Sequence, residues 1–142
     1  MNVFAGSVHE TDEEQGVAHF LEHMLFNGSE HFKPGELITY FQSIGMDFGA
    51  DANARTSFYS TIYDLSLPKG GQKDLEDAFV VIKDYAQGAS ILETEVDRER
   101  GVILAEKRER DSVSYRTFKK ELAFELPGSR LAHRAQENHR VC

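Results

Sequence analysis

Apolar positions recur at helical spacing in five stretches of the chain, and between two of them lie runs rich in β-branched and aromatic residues. In residues 15–26, at about 100° per residue, Val17, Phe20, Leu21, Met24 and Leu25 share one stripe. His19, Glu22 and His23 gather on the other side, and Asn27, Gly28 and Ser29 stop the helix, Gly28 suiting a left-handed cap. Pro34 opens a second helix with Leu37, Phe41 and Ile44 on one face, ended by Gly45. Residues 46–54 and 56–67 read as strands, the second with Tyr59, Thr61, Tyr63, Leu65 and Leu67 on one face, and residues 68–71 as a turn. A third helix carries Leu75, Ala78, Phe79, Ile82 and Ala86 along one stripe and closes near Gly88. Residues 94–111 form the longest helical stretch, and residues 115–126 another before Pro127. With a short β-like run at residues 3–8, this order predicts an α+β fold, an antiparallel sheet with helices packed on one face.

The first helix carries chemistry. His19 and His23 are one turn apart, so both rings can reach a single cation, and Glu22 is close enough to hold a water bound to it. This H-x-x-E-H spacing inverts H-E-x-x-H and reads as a zinc hydrolase helix rather than an ordinary amphipathic surface helix. The acidic residues Asp12, Glu13 and Glu14, after Thr11, are expected to cap its N-terminus and complement its dipole. In the long helix Val96, Glu99, Val102, Ile103 and Glu106 follow one stripe, yet two members are carboxylates, about 20° from superposition after two turns. An ionised carboxylate among valine and isoleucine needs a cation or donors to offset its desolvation. One of the two as a metal ligand resolves that cost. The neighbouring Arg98, Arg100, Lys107, Arg108 and Arg110 leave an exposed charged face as the other reading.

Composition narrows the function classes. The 142 residues suit one domain, residues 1–142, and 16 Lys plus Arg against 24 Asp plus Glu give a formal charge of −8. An acidic chain without a basic stripe is a poor partner for nucleic acid or an anionic membrane. Cys142 alone excludes an internal disulfide or a cysteine metal cluster, and no apolar run approaches a membrane span. No secretory signal is visible at Met1, Asn2 and Val3.

Three segments in order carry a resemblance: Gly16 through Gly28 with the H-x-x-E-H core; Phe48 through Ala54, including Asn53; and Glu99 through Glu106. Together they resemble the pitrilysin/insulinase family, zinc metallopeptidases of the inverzincin type that include the mitochondrial processing peptidases. The wording around the helix is most similar to bacterial members; the compartment stays open, with a soluble protein expected and the periplasm its place if the source is bacterial. The resemblance implies a metalloendopeptidase with one zinc ion held by His19, His23 and Glu106, and Glu22 as the base that activates water. It makes Glu99 an accessory catalytic acid that sits behind the site and orients the ligands. It puts Asn53 and Ala54 on an edge strand that pairs with substrate backbone, against the simpler reading of Gly49 and Asn53 as turn formers. The implied partners are a peptide or unfolded polypeptide and a second homologous half, in the same chain or another, that closes over the metal.

Family domains usually have a further strand before residue 3, and residues 136–142 depart from the family pattern, so the chain reads as an N-terminal catalytic domain incomplete at both ends. Such a piece is expected to expose sheet edges and apolar surface. His9, His31, His133 and His139 are out of register with the metal helix and read as surface residues. A di-iron carboxylate protein would need two Glu-x-x-His elements, and the chain has none. A non-catalytic structural or regulatory subunit of such a protease is the remaining alternative; its usual mark, a broken H-x-x-E-H, is missing here.

Overall fold

The computed structural model describes residues 1–137. In chain order it contains β1 (Asn2–Val3), a 3₁₀ turn (Ser7–His9), α1 (Val17–Met24), α2 (Glu36–Ser43), β2 (Ala52–Thr56) and β3 (Thr61–Leu65). Four more helices follow: α3 (Gln72–Gln87), α4 (Glu93–Arg110), α5 (Val113–Glu125) and α6 (Arg130–Glu137). The strands form an antiparallel sheet in the order β1-β3-β2, with Asn53 opposite Asp64 and Thr56 opposite Thr61. This is the expected α+β arrangement, and it leaves β2 at an edge.

One core joins the layers. Leu25 and Phe26 at the end of α1, Leu37 and Phe41 on α2, Ala52 and Tyr63 in the sheet, and Val81 and Tyr85 on α3 are buried together. Tyr85 lies 5.3 Å, centroid to centroid, from both Phe26 and Tyr63, at separations where ring edges meet ring faces or tilted rings. Burying a side chain the size of Phe41 or Met24 contributes about 1.5–3 kcal/mol, so α1 and α2 are tied to the sheet by several such terms. That fixes α1 against β2, β3 and α4, the elements that supply its functional neighbours.

The strands are shorter than the sequence predicts, because turns claim their ends. Residues 4–8 leave the ladder: Gly6 backs onto the β2–β3 hairpin so closely that a Cβ there would sit 2.3 Å from the Ser57 carbonyl oxygen. Ser7 and Val8 donate their N–H groups to the carbonyls of Ser57 and Phe58. Residues 47–51 form a turn, with the Ala50 and Asp51 N–H groups on the Asp47 carbonyl and Gly49 at φ 95°. The second predicted strand begins only at Thr61, since residues 57–60 make the hairpin turn.

Two helix faces also differ from the pattern. On α3, Phe79 is 72% exposed and Leu75 47%, while Val81, Asp84 and Tyr85 are buried. The helix is turned by Tyr85 entering the aromatic core and by Asp84, whose carboxylate accepts from Ser29 Oγ (2.5 Å) and pairs with His31 Nδ1 (2.8 Å). On α1, Val17 and Leu21 stay exposed while Glu22 is buried, because polar partners on β2 face it. Phe124 on α5 is 86% exposed.

Candidate metal centre

The side chain that caps the N-terminus of α1 comes from outside the predicted acidic cluster, which contributes only the Glu14 carbonyl, accepting from the Val17 N–H. Gly16 takes φ 91°, which favours glycine, and the buried Glu10 carboxylate accepts from the N–H groups of Gly16 (2.9 Å) and Ala18 (2.8 Å). Its charge also sits at the positive end of the helix. The acidic cluster is used elsewhere. Glu14 folds back onto Thr11, and Asp12 pairs with His133 and Arg134. The 3₁₀ turn ahead of Glu10 delivers it to this position, which helical periodicity does not reveal.

With α1 fixed, His19 Nε2 and His23 Nε2 lie 3.2 Å apart, their rings edge to face at 4.7 Å. From α4, Glu106 Oε2 comes to 3.6 Å from His19 Nε2 and 3.4 Å from His23 Nε2. Zinc bonds of about 2.0–2.1 Å in a tetrahedron put neighbouring donor atoms about 3.3 Å apart, so these three atoms match one face of such a site. The set is also chemically apt: two imidazole nitrogens and a carboxylate oxygen.

Glu99 takes the other side of His23. Its Oε1 is 2.7 Å from His23 Nδ1, and its Oε2 accepts from Asn27 Nδ2 at 2.7 Å. This hydrogen bond places the proton on Nδ1 and turns the Nε2 lone pair toward His19 and Glu106. The two carboxylates that share a stripe on α4 therefore do different things. Arg110, one turn beyond Glu106, pairs with its Oε1. Burial, and then the neighbouring His23, hold the His19 pKa below its ordinary value against the attraction of Glu106 and Glu22, which favours the neutral imidazole.

Glu22 brings an oxygen within 4.8 Å of ring nitrogens of both histidines, but its Oε2 accepts from the Thr56 hydroxyl at 2.5 Å. Thr61, whose hydroxyl donates to the Ala5 carbonyl, backs Thr56 at 3.4 Å. Burial and the Glu22 charge together push the Tyr63 phenol well above its usual pKa.

Asn53 and Ala54 lie on β2, the strand whose Thr56 holds Glu22. The Ser66 N–H donates to the Asp51 carbonyl and the Ser57 N–H to the Ser60 carbonyl, so the odd-numbered residues between them turn their backbone toward β3. Ala52, Ala54 and Thr56 accordingly present theirs along the outer edge. There the Ala52 carbonyl is taken by the Gly49 N–H, and the Ala54 N–H by the side-chain oxygen of Asn53 (2.8 Å). Ala54 C=O and Thr56 N–H remain turned to that edge.

His9, His31 and His133 lie away from the centre. His31 is nevertheless engaged, tying the loop after α1 to Asp84, while His139 falls outside the described residues. Sequence reading missed Glu10, Asn27, Thr56 and Arg110. Only Arg110, four residues after Glu106 on one helix, had a legible signal. The centre opens into a cavity of about 530 Å³ whose lining includes His19, Thr56 and Glu106.

The sequence pattern described as Insulinase (Peptidase family M16) matches residues 1–125. A probable zinc protease PqqL of Haemophilus influenzae is 43% identical over 126 residues, 89% of this chain and 14% of that protein. The mitochondrial-processing peptidase subunit beta of Homo sapiens is 39% identical over 105 residues, 74% of this chain and 20% of that protein. The crystal structure of the first half of the periplasmic protease PqqL from Escherichia coli superposes with a TM-score of 0.86 at 38% identity, covering 91% of this chain and 28% of that one. This chain thus spans 14% to 20% of the length of these two curated relatives. It belongs to the insulinase family, peptidase family M16.

Proposed function

We propose that this chain contributes the zinc-binding part of a metalloendopeptidase site. The observation that carries the reading is the triangle of His19 Nε2, His23 Nε2 and Glu106 Oε2, with edges of 3.2–3.6 Å. These three residues would hold one zinc ion. Zinc supplies a Lewis acid for the scissile carbonyl and lowers the pKa of water toward about 7.

The chain's own residues do the rest. Glu22 accepts the proton of the attacking water and delivers it to the leaving amine, while Thr56 holds its other oxygen in place. Glu99 fixes the tautomer and tilt of His23. A peptide lies along the outer edge of β2, pairing with Ala54 C=O and Thr56 N–H, and Asn53 offers a donor and an acceptor beside it. A second homologous half closes over the substrate; the similarity to the first half of the Escherichia coli protease supports this. That relative is also described as periplasmic, which supports the same compartment here; no described helix is long and apolar enough to cross a membrane.

The test is cleavage of an unfolded polypeptide by the full-length protein. Hydrolysis should stop when a chelator removes zinc and return when zinc is added back. A protein that holds zinc yet cleaves nothing would belong with the non-catalytic subunits instead.

A further inference from the structure

The cavity beside the metal centre has a charge pattern that the proposed chemistry does not use. Besides His19 and Glu106, its lining includes the cations Lys107, Arg110 and Arg134 and the aromatic residues Phe58 and Phe118. Its carboxylates are committed: Glu10 to the N–H groups of Gly16 and Ala18, Glu106 to Arg110 and the histidines. Arg110 is spent on Glu106 in turn. Lys107 is half-buried and has no hydrogen bond or ion pair among the described residues.

Arg134 is the sharper observation. Its side chain is 3% exposed, and among the described residues only Nη2 is engaged, with the Glu10 carbonyl and, at 3.2 Å, with Asp12 Oδ1. Asp12 is shared with His133. The Arg134 Nε and Nη1 are buried without an acceptor among the described residues. A buried guanidinium N–H left unpaired is costly, and the fork of N–H groups that Arg presents matches a carboxylate. Apolar walls strengthen such a pairing by lowering the local dielectric.

We propose that this cavity is a carboxylate-binding subsite for the substrate chain, with Arg134 as its anchoring cation and Lys107 as a second donor. This rests on the peptidase reading and adds a substrate class to it. The carboxylate can be an acidic side chain near the scissile bond or the peptide's own C-terminus, and both present the same two oxygens.

Matched peptides separate these sources and test the subsite in the zinc-loaded full-length protein. One set replaces Glu by Gln at each position flanking the cleaved bond; another replaces a free C-terminus by its amide. Equilibrium binding of the same peptides to the Glu22→Gln protein, followed by fluorescence anisotropy, gives a readout that needs no turnover. In one of the two sets the acidic member should be favoured at least about tenfold in kcat/KM and in affinity. Arg134→Gln should bring that ratio close to one while changing the neutral peptide by no more than about twofold. Lys107→Gln, at a less buried position, should reduce the ratio severalfold and serves if Arg134→Gln does not fold. Cleavage of all peptides with no carboxylate preference in the unmodified protein overturns the subsite and leaves the peptidase reading intact. A preference retained in both variants also overturns it. Preferential binding without any cleavage upholds the subsite and removes the peptidase reading.

Discussion

Glu99 Oε1 lies 2.7 Å from His23 Nδ1, and these residues are 76 positions apart in the chain. The contact sets which nitrogen of His23 carries the proton. It also separates Glu99 from Glu106, which reaches the Nε2 atoms of both histidines from two turns further along α4.

Replacing Glu99 by Gln should therefore weaken zinc binding by about 10–100-fold, the usual effect of losing a carboxylate behind a histidine ligand, while the fold survives. Competition against a fluorescent chelator measures this directly. Affinity unchanged from the parent would mean that Glu99 does not orient His23.

Glu22 should behave differently. Its carboxylate is held by Thr56, so Glu22→Gln should keep zinc and lower peptide hydrolysis by about 10²–10⁴-fold, the contribution of a general base. Metal content and turnover measured on one preparation decide the matter. Zinc lost together with activity would make Glu22 a ligand.

Asn53 is exposed at the edge strand, where its side chain caps the Ala54 N–H. Asn53→Ala should leave zinc content and Tm nearly unchanged and reduce kcat/KM by about tenfold, the equivalent of roughly 1.4 kcal/mol of substrate positioning. Unaltered kinetics would return Asn53 to a turn-forming role.

The legible part of this site is its helix. Positions i, i+3 and i+4 fix His19, Glu22 and His23 relative to one another whatever the rest of the chain does. The choice between Glu99 and Glu106 could not be read from their spacing, because both lie on one stripe and only the crossing of α1 and α4 separates them. Thr56 is 34 residues from Glu22, and nothing local marks it as a partner. The face of α3 was misplaced for the same reason: Asp84 is polar, and its burial depends on Ser29 and His31, more than 50 residues away. Glu10 was hidden by the irregular turn that carries it under α1.

Asp84 also makes stability depend on pH. Burial raises its pKa, but the hydrogen bonds from Ser29 and His31 outweigh that and hold it below its ordinary value. A carboxyl depressed in the folded state contributes stability that is full above its unfolded value, about 3.9, and is lost as pH falls through the folded value. Asp84→Asn should thus cost about 1–3 kcal/mol at pH 7, with the gap to the parent shrinking below about pH 4. Denaturant unfolding across that range checks it, and a gap independent of pH would contradict the assignment.

The central claim, that His19, His23 and Glu106 hold one zinc ion, is tested most directly by metal analysis of two substitutions on α4. Glu106→Gln removes the carboxylate oxygen that lies 3.4 Å from His23 Nε2, whereas Glu109→Gln changes an exposed carboxylate on the same helix. Zinc occupancy should fall clearly in Glu106→Gln and stay near one per chain in Glu109→Gln. Equal occupancy in the two proteins would contradict the assignment.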